Sequence, residues 1–272
     1  EEPVLALCQY EGRMLASLVI DGKAIIRLYE LGKKKLLLKS EYRNSVCGGF
    51  VSIQVNNDRI FAADIHNSIH VLKLNKADGQ LCVVCDDTLP RYVSSMLVLD
   101  HNTVVGGDKF DNFFALSVPS EVKNTNMGEG LRLGPDTAYI LGKNAKFDPV
   151  NSFHLGQTIT AMQKVTMSSG SSEVILYSTL GGSLGALCPI TSKKEYNLLL
   201  ALESELRQEP TLVGRDHQAY RSFYLPSKGV IDGDLISQEF SRSTRKAEIA
   251  QKLGKSENEL HKLIEEMLYR IT

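Results

Sequence analysis

The sequence predicts a mainly β chain made of four-stranded antiparallel units and ending in a helical segment. Three observations lead there. A pattern of apolar strand, short polar turn and apolar strand occurs four times, at residues 13–31, 58–74, 102–118 and 173–189. Counted from Ala24, Ser68, Asn112 and Ser183, where the second strands begin, the copies are 44, 44 and 71 residues apart. After Pro189 the apolar residues change from strand to helix spacing.

The turns are Asp21-Gly22-Lys23, His66-Asn67-Ser68, Phe110-Asp111-Asn112 and Gly181-Gly182-Ser183, all rich in residues that tolerate the positive φ of hairpin turns. Further strand-like runs at 36–39, 50–55, 81–85, 93–99 and 159–166 bring the count to about four strands per period. The long interval is one period plus an insertion at about 119–150, which carries Gly128, Gly130, Gly134, Pro135 and Pro149 and reads as a mobile surface loop. A four-stranded unit of this length is the signature of a β-propeller blade, and four of them are part of a seven-bladed β-propeller. Trp is absent, so the WD-dipeptide class is excluded, and a chain that starts at Glu1 without methionine reads as a piece of a longer polypeptide. Blades are expected over 1–190 and a mainly helical segment over 191–272.

In that segment, Tyr196, Leu199, Leu200, Glu203 and Leu206 stand at helical spacing within 194–208, and Pro210 closes the run. An irregular stretch, 211–229, precedes helices at 232–240, 243–253 and 257–271. Gly254 stops the second, and Ser256 with Glu259 forms a capping box for the third.

Composition excludes several function classes. In 272 residues, 43% are apolar and 23% charged, the mix of a folded globular chain rather than a disordered one. Lys and Arg number 31 against 32 Asp and Glu, so no global field attracts nucleic acid or an anionic membrane. No apolar run approaches the roughly 18 residues of a membrane span. The five scattered cysteines suggest reduced thiols, as in the cytosol or nucleus.

Each catalytic pattern has a plainer reading. Gly181-Gly182-Ser183-Leu184-Gly185 fits G-x-S-x-G, but that chemistry needs a helix after the serine and here a strand follows, which favours a hairpin turn. Cys82 and Cys85 have metal spacing, yet residues three apart on a strand point to opposite faces and no second ligand pair matches. Asp232-Gly233-Asp234 with Glu239 lacks further oxygen ligands and reads as a helix cap. Gly128, Gly130 and Gly134 miss the dinucleotide fingerprint by one residue. The six histidines form no catalytic or metal cluster, so neither an enzyme nor a cofactor is expected. The helices at 247–268 resemble a helix-turn-helix in outline, but 240–272 holds seven Lys or Arg against its acidic residues, a weak surplus that favours packing over DNA or RNA binding.

Particular strings carry a family resemblance. They are Leu28-Tyr29-Glu30-Leu31-Gly32-Lys33-Lys34-Lys35-Leu36-Leu37, Asp86-Asp87-Thr88-Leu89-Pro90-Arg91-Tyr92-Val93, Gly106-Gly107-Asp108-Lys109-Phe110, Gly214-Arg215-Asp216-His217, Tyr220-Arg221-Ser222-Phe223-Tyr224 and Val230-Ile231-Asp232-Gly233-Asp234-Leu235. With these the chain resembles the C-terminal part of the splicing factor 3b subunit 3 family. The last string is shared with a wider superfamily that includes damaged-DNA-binding protein 1 and the large subunit of the cleavage and polyadenylation specificity factor. Tyr92 departs from the pattern, which has Trp there.

The resemblance implies a non-catalytic interaction scaffold of the splicing factor 3b complex in the nuclear U2 snRNP, supporting branch-site recognition and spliceosome assembly. Its implied partners are the HEAT-repeat subunit and small subunits of that complex and other snRNP proteins, with RNA contact indirect or weak and no membrane. Partner contacts carry over to Asp87, Pro90, Arg91, Tyr92, Gly107 and Asp108, to Gln157, Thr158 and Gln163, and to Lys228; Lys109 joins them because, like Asp87, Pro90, Arg91 and Tyr92, it lies in or beside a strand connection, where scaffolds bind partners. The alternatives are a sister scaffold of a ubiquitin-ligase or polyadenylation complex, or nucleic-acid binding by the tail helices.

Overall fold

Apolar residues alternating around turns that accept positive φ produce antiparallel hairpins, and all four expected hairpins are present. They pair β2 (Arg13–Ile20) with β3 (Lys23–Leu31), β6 (Arg59–Asp64) with β7 (Ser68–Leu74), β10 (Thr103–Asp108) with β11 (Asn112–Ser117), and β15 (Glu173–Thr179) with β16 (Leu184–Leu187). Asp21, Gly22, Ser68, Asp111 and Gly182 all take positive φ at these turns. The structure, a computed structural model, describes residues 3–44, 47–123, 145–167, 172–208, 221 and 227–270. It is mainly β with a few C-terminal helices, and it divides into two compact units, 1–150 and 151–272.

The first unit stacks three sheets. One runs β1 (Val4–Tyr10), β2, β3, β4 (Leu36–Asn44). The next runs β5 (Phe50–Asn56), β6, β7, β8 (Leu81–Asp86), with the two-residue β12 (Ala145–Lys146) added parallel to β8. The third runs β9 (Val93–Val98), β10, β11; the last strand in its order, β13 (Asp148–His154), begins in this unit and continues past residue 150, where the unit ends. Neighbouring sheets touch through their first strands, β1 with β5 and β5 with β9. The residues expected as an inserted loop are described only at 119–123, where 120–123 form a short helical turn, and at 145–150, which are largely strand. Gly128, Gly130, Gly134 and Pro135 lie outside the described residues.

Two apolar layers lie between the three sheets. Tyr10, Leu15, Ile26 and Leu28 meet Phe50, Ile53, Ile60 and Leu72 in one, and Phe61, Ile69 and Val71 meet Met96, Val104, Phe114 and Leu116 in the other. The middle sheet is therefore covered on both faces, and every residue of β6 is buried. Each buried Leu, Ile or Phe contributes about 1.5–3 kcal/mol. Polar bonds also run from sheet to sheet: the Leu81 N–H donates to Ser40 Oγ at 3.0 Å, Gln54 Nε2 to the Met96 carbonyl at 2.7 Å, and Arg59 Nη1 to the His101 carbonyl at 2.8 Å and Asn102 Oδ1 at 2.7 Å.

His70 on β7 is 1% exposed, edge-on to Phe50, with Cys47 Sγ 3.6 Å from its Nε2. Burial holds its pKa below the usual histidine value, against the pull of Asp86 and Asp64. The folded state therefore resists a proton that the unfolded chain accepts near pH 6.5, and stability present above that pH is lost as pH falls. Urea titrations between pH 7.5 and 5 are expected to show stability falling by up to about 1.4 kcal/mol per pH unit below pH 6.5. The slope should flatten in His70→Gln.

The second unit begins with the sheet β14 (Ile159–Thr166), β15, β16. The helix Lys193–Leu206 follows, with Ser192 Oγ accepting the Glu195 N–H, and its Leu199, Leu202 and Leu206 form the buried stripe. Helices Gly233–Arg242, Lys246–Lys252 and Glu257–Tyr269 close the same core with Ile236, Phe240, Ile249, Leu260 and Ile264. The Ser256–Glu259 capping box forms, and Gly254 ends its helix at φ 64°. Pro210 and the string 214–217 lie outside the described residues, as does 220–224 apart from Arg221.

Candidate partner-binding surface

Seven of the sequence-predicted contact residues fall in the first unit, at the end of the sheets where β8 crosses to β9 and β10 turns into β11. Asp87 organises this crossing. Its Oδ2 accepts Arg91 Nε at 2.6 Å and Ser68 Oγ at 2.7 Å, and its Oδ1 accepts the Thr88 N–H at 2.7 Å. Both members of the Asp87–Arg91 pair are withdrawn from water, at 2% and 8% exposure, and the Arg91 guanidinium also lies 4.5 Å from the centre of the Phe114 ring. A pair this desolvated fixes geometry more than it adds stability, because each charge has given up its hydration.

Asp108 organises the neighbouring turn in a similar way. It accepts the N–H groups of Phe110 and Asn112 at 2.8 and 3.0 Å and Asn112 Nδ2 at 2.9 Å, closing the β10–β11 hairpin. Asp64, 44 residues earlier, does the same for the β6–β7 turn, accepting His66 and Asn67 N–H at 2.8 and 2.7 Å, and it also takes the Gly49 N–H at 3.1 Å. Gly107 is buried in β10, and a Cβ on its neighbour Gly106 would collide with the Phe114 ring.

On this frame stands an aromatic group. Tyr92 takes φ 51°, a left-handed conformation that costs a bulky residue about 1–3 kcal/mol. Two backbone bonds hold it, its N–H to the His66 carbonyl at 3.4 Å and the Lys109 N–H to its own carbonyl at 3.1 Å. Its ring meets His66 and Phe110 edge-on at 5.4 and 5.6 Å, and Lys109 Nζ sits 3.5 Å from its centre. Pro90, Lys109 and Phe110 are exposed and Tyr92 is half-buried. The predicted set therefore separates into buried supports (Asp87, Arg91, Gly107, Asp108) and presented side chains (Pro90, Tyr92, Lys109). The predicted contact set did not include Ser68, His66, Phe110 or Phe114, although Asp64 and Asp108 at one repeat interval mark the two turns that bring them together.

The other four predicted residues lie in the second unit. Gln157 Oε1 accepts the hydroxyls of Thr179, at 2.6 Å, and Ser183, and those hydroxyls also bond each other at 2.7 Å. Thr158 receives the Leu180 N–H at 2.9 Å, Gln163 is exposed on β14, and Lys228 exchanges two backbone bonds with Ser152. Ser183 is thus in a tight hairpin turn followed by β16, as the plainer reading expected. Asp232 likewise caps its helix by accepting the Leu235 N–H at 3.1 Å, and Arg221 bonds it at 2.9 Å.

Residues 1–241 match the model of the CPSF A subunit region. The chain belongs to that family. Among curated relatives of this CPSF A region, "Probable splicing factor 3B subunit 3" of Dictyostelium discoideum is 39% identical over 98% of the chain and 21% of its own length. "Spliceosome-associated protein 130 A" of Arabidopsis thaliana is 40% identical over 86% of the chain and 19% of its own length. "Splicing factor 3B subunit 3" of Drosophila melanogaster is 35% identical over 97% and 22%. The CPSF A chain described here spans about a fifth of the length of the curated relatives it matches. Both the Asp87–Lys109 surface and the Gln157–Ser183 turn lie inside the matched region.

Proposed function

We propose that this chain is part of a non-catalytic protein-interaction scaffold of the splicing factor 3b complex, acting in the nucleus within the U2 snRNP. It supports branch-site recognition by holding the HEAT-repeat subunit and small subunits of that complex. The observation that carries this reading is the 39% identity over 98% of the chain with a probable splicing factor 3B subunit 3. The stacked four-stranded sheets, touching through their first strands, support a segment of a seven-bladed β-propeller over 1–190, with 191–272 as a mainly helical closing segment.

Pro90, Tyr92 and Lys109 touch the partner, while Asp87, Arg91, Gly107 and Asp108 hold them in place; Gln157, Thr158, Gln163 and Lys228 form the second contact region. The strained backbone at Tyr92 supports the first assignment, since strain persists where the surrounding structure over-determines it and clusters at functional sites. A non-catalytic role is supported by the Ser183 hydroxyl being held by Gln157 and Thr179, and by burial, which pushes the Cys85 thiol up to about 12. RNA contact is indirect: among the tail cations, Arg245 and Lys252 are paired with Glu248, Lys255 with Glu259 and Lys262 with Glu266.

The test is affinity purification of the full-length protein from nuclear extract, wild type beside Tyr92→Ala/Lys109→Ala, with mass spectrometry. The wild type is expected to recover the HEAT-repeat and small subunits, and the variant at least about tenfold less, the size of a hot-spot loss. Recovery of cullin or polyadenylation subunits without splicing proteins overturns the reading.

A further inference from the structure

β7 and β8 carry a charge network inside the first unit. His70 and Asp86 are paired across these two strands, so their side chains leave one face of the sheet side by side. Asp86 is 4% exposed, and among the described residues its Oδ1 has a single partner, Lys146 Nζ at 2.6 Å. Lys146 sits on β12, which pairs parallel with Cys85 and Asp86, and the next N–H, that of Phe147, donates to the Asp86 carbonyl at 2.9 Å. The lysine side chain is 37% exposed, whereas His70 is in the core. The network thus has one end in water and the other in the apolar layer between the first two sheets.

One carboxylate stands between two groups able to neutralise it. Lys146 does so with its ammonium still partly hydrated, while a charged His70 would be an imidazolium without water. Burial, and then Lys146, hold His70 below the usual histidine value against the pull of Asp86, Asp64 and Asp87. Around His70 are Cys47, with its sulfur 3.6 Å from Nε2, Asp64 from β6, and Asp86 and Asp87 at the end of β8; on the same side, β4 packs Tyr42 against Phe50. Asp64 is taken up by three backbone N–H groups, and Asp87 by Arg91 and Ser68. Asp86 is the carboxylate whose counter-charge can change hands.

We propose that Lys146 and His70 exchange the Asp86 carboxylate, making a proton-linked latch that holds β12 on β8 while His70 is neutral and frees it when His70 binds a proton. One proton passes from solvent to the imidazole, and one ammonium passes from Asp86 to water. The coupling is reciprocal: protonated His70 weakens the lysine's hold on Asp86, and loss of the lysine's charge strengthens His70's hold on its proton by the same factor. β12 runs directly into Phe147, which is buried, and then into β13, so the latch sets how firmly the entry to β13 is tied to the middle sheet. The device names no partner and is independent of the complex proposed above.

Hydrogen exchange with mass spectrometry on the full-length protein tests it, after correction for the intrinsic pH dependence of exchange. Between pH 7.5 and 5, protection of 145–150 is expected to fall about tenfold or more, as opening linked to one proton allows up to about tenfold per pH unit. It should stay below the protection of 103–108 throughout, which marks the opening as local. In Lys146→Gln protection of 145–150 should be about tenfold lower already at pH 7.5 and change little on acidification. The fall of urea stability with pH assigned to His70 above should also flatten there, because Asp86 is left to receive the imidazolium. Lys146→Arg should keep the wild-type behaviour, and His70→Gln should hold β12 at every pH in this range. If Lys146→Gln loses protection equally at all pH values and keeps the wild-type slope, the lysine is a structural bond only and the proposal is overturned. It is equally overturned by wild-type protection that ignores pH or matches that of 103–108, and by an acid-linked loss that persists in His70→Gln, which would place the proton on another group.

Discussion

Arg91→Ala is expected to lower the unfolding free energy of the full-length protein's first unit by about 3–5 kcal/mol, measured by urea denaturation with a probe in that unit. The side chain neutralises Asp87 in a site where neither group reaches water, so its removal leaves a buried carboxylate with Ser68 and backbone N–H groups but no counter-charge. The Phe114 face loses its cation as well, a contribution of about 1–2 kcal/mol when desolvated. Arg91→Lys should recover only some of this, since an ammonium cannot reproduce the planar group that lies on Phe114 while bonding Asp87. The exposed neighbours give the contrast that separates support from contact. Lys109→Ala should change stability by less than about 1 kcal/mol and act on partner binding instead.

Asp64→Ala is expected to destabilise the same unit by about 2–4 kcal/mol in the same assay. One buried carboxylate there receives three backbone N–H groups, those of Gly49, His66 and Asn67. Without it the turn donors can turn to water, because His66 is exposed, but the Gly49 N–H is buried and has no replacement. Asp64→Asn keeps an acceptor oxygen and should cost about half as much. Asp108→Ala, at the same place one repeat later, removes two backbone bonds and one side-chain bond and should fall in the same range. Hydrogen exchange at Phe110 and Asn112 is the direct check, since both N–H groups lose the Asp108 acceptor in that variant.

The hairpins were readable from sequence because their information is local. An apolar strand, a turn residue able to take positive φ and a second apolar strand leave one geometry within about twenty residues, and His66-Asn67-Ser68 and Phe110-Asp111-Asn112 are such cases. Helix ends were readable for the same reason, as the capping box at Ser256 and Glu259 illustrates. β1 was not set out: Ala6, Cys8 and Tyr10 turn to the core while Leu5 and Leu7 stand exposed on the other face, so its sequence is apolar on both faces and shows no apolar–polar alternation. The site was half readable. The family strings pointed to residues 86–93 and 106–110, but which of them face solvent depends on long-range partners. Asp87 is buried because Ser68 and Arg91 close over it, and nothing within its own stretch announces the serine nineteen residues earlier.

The polar bonds between the stacked sheets carry a kinetic consequence. Ser40 to Leu81, Gln54 to Met96 and Arg59 to Asn102 join residues 41, 42 and 43 positions apart. Each link thus spans a single repeat interval, and in these links no sheet waits for a residue two sheets away. The loop that must close is the same for every sheet added, so the entropic toll of assembly grows by equal steps with the number of sheets rather than with the full chain length. Folding of such a stack resembles a zipper that can start at any neighbouring pair. The same spacing lets a stack gain or shed a unit by duplication or deletion of one period while the bonds between the remaining neighbours keep their register.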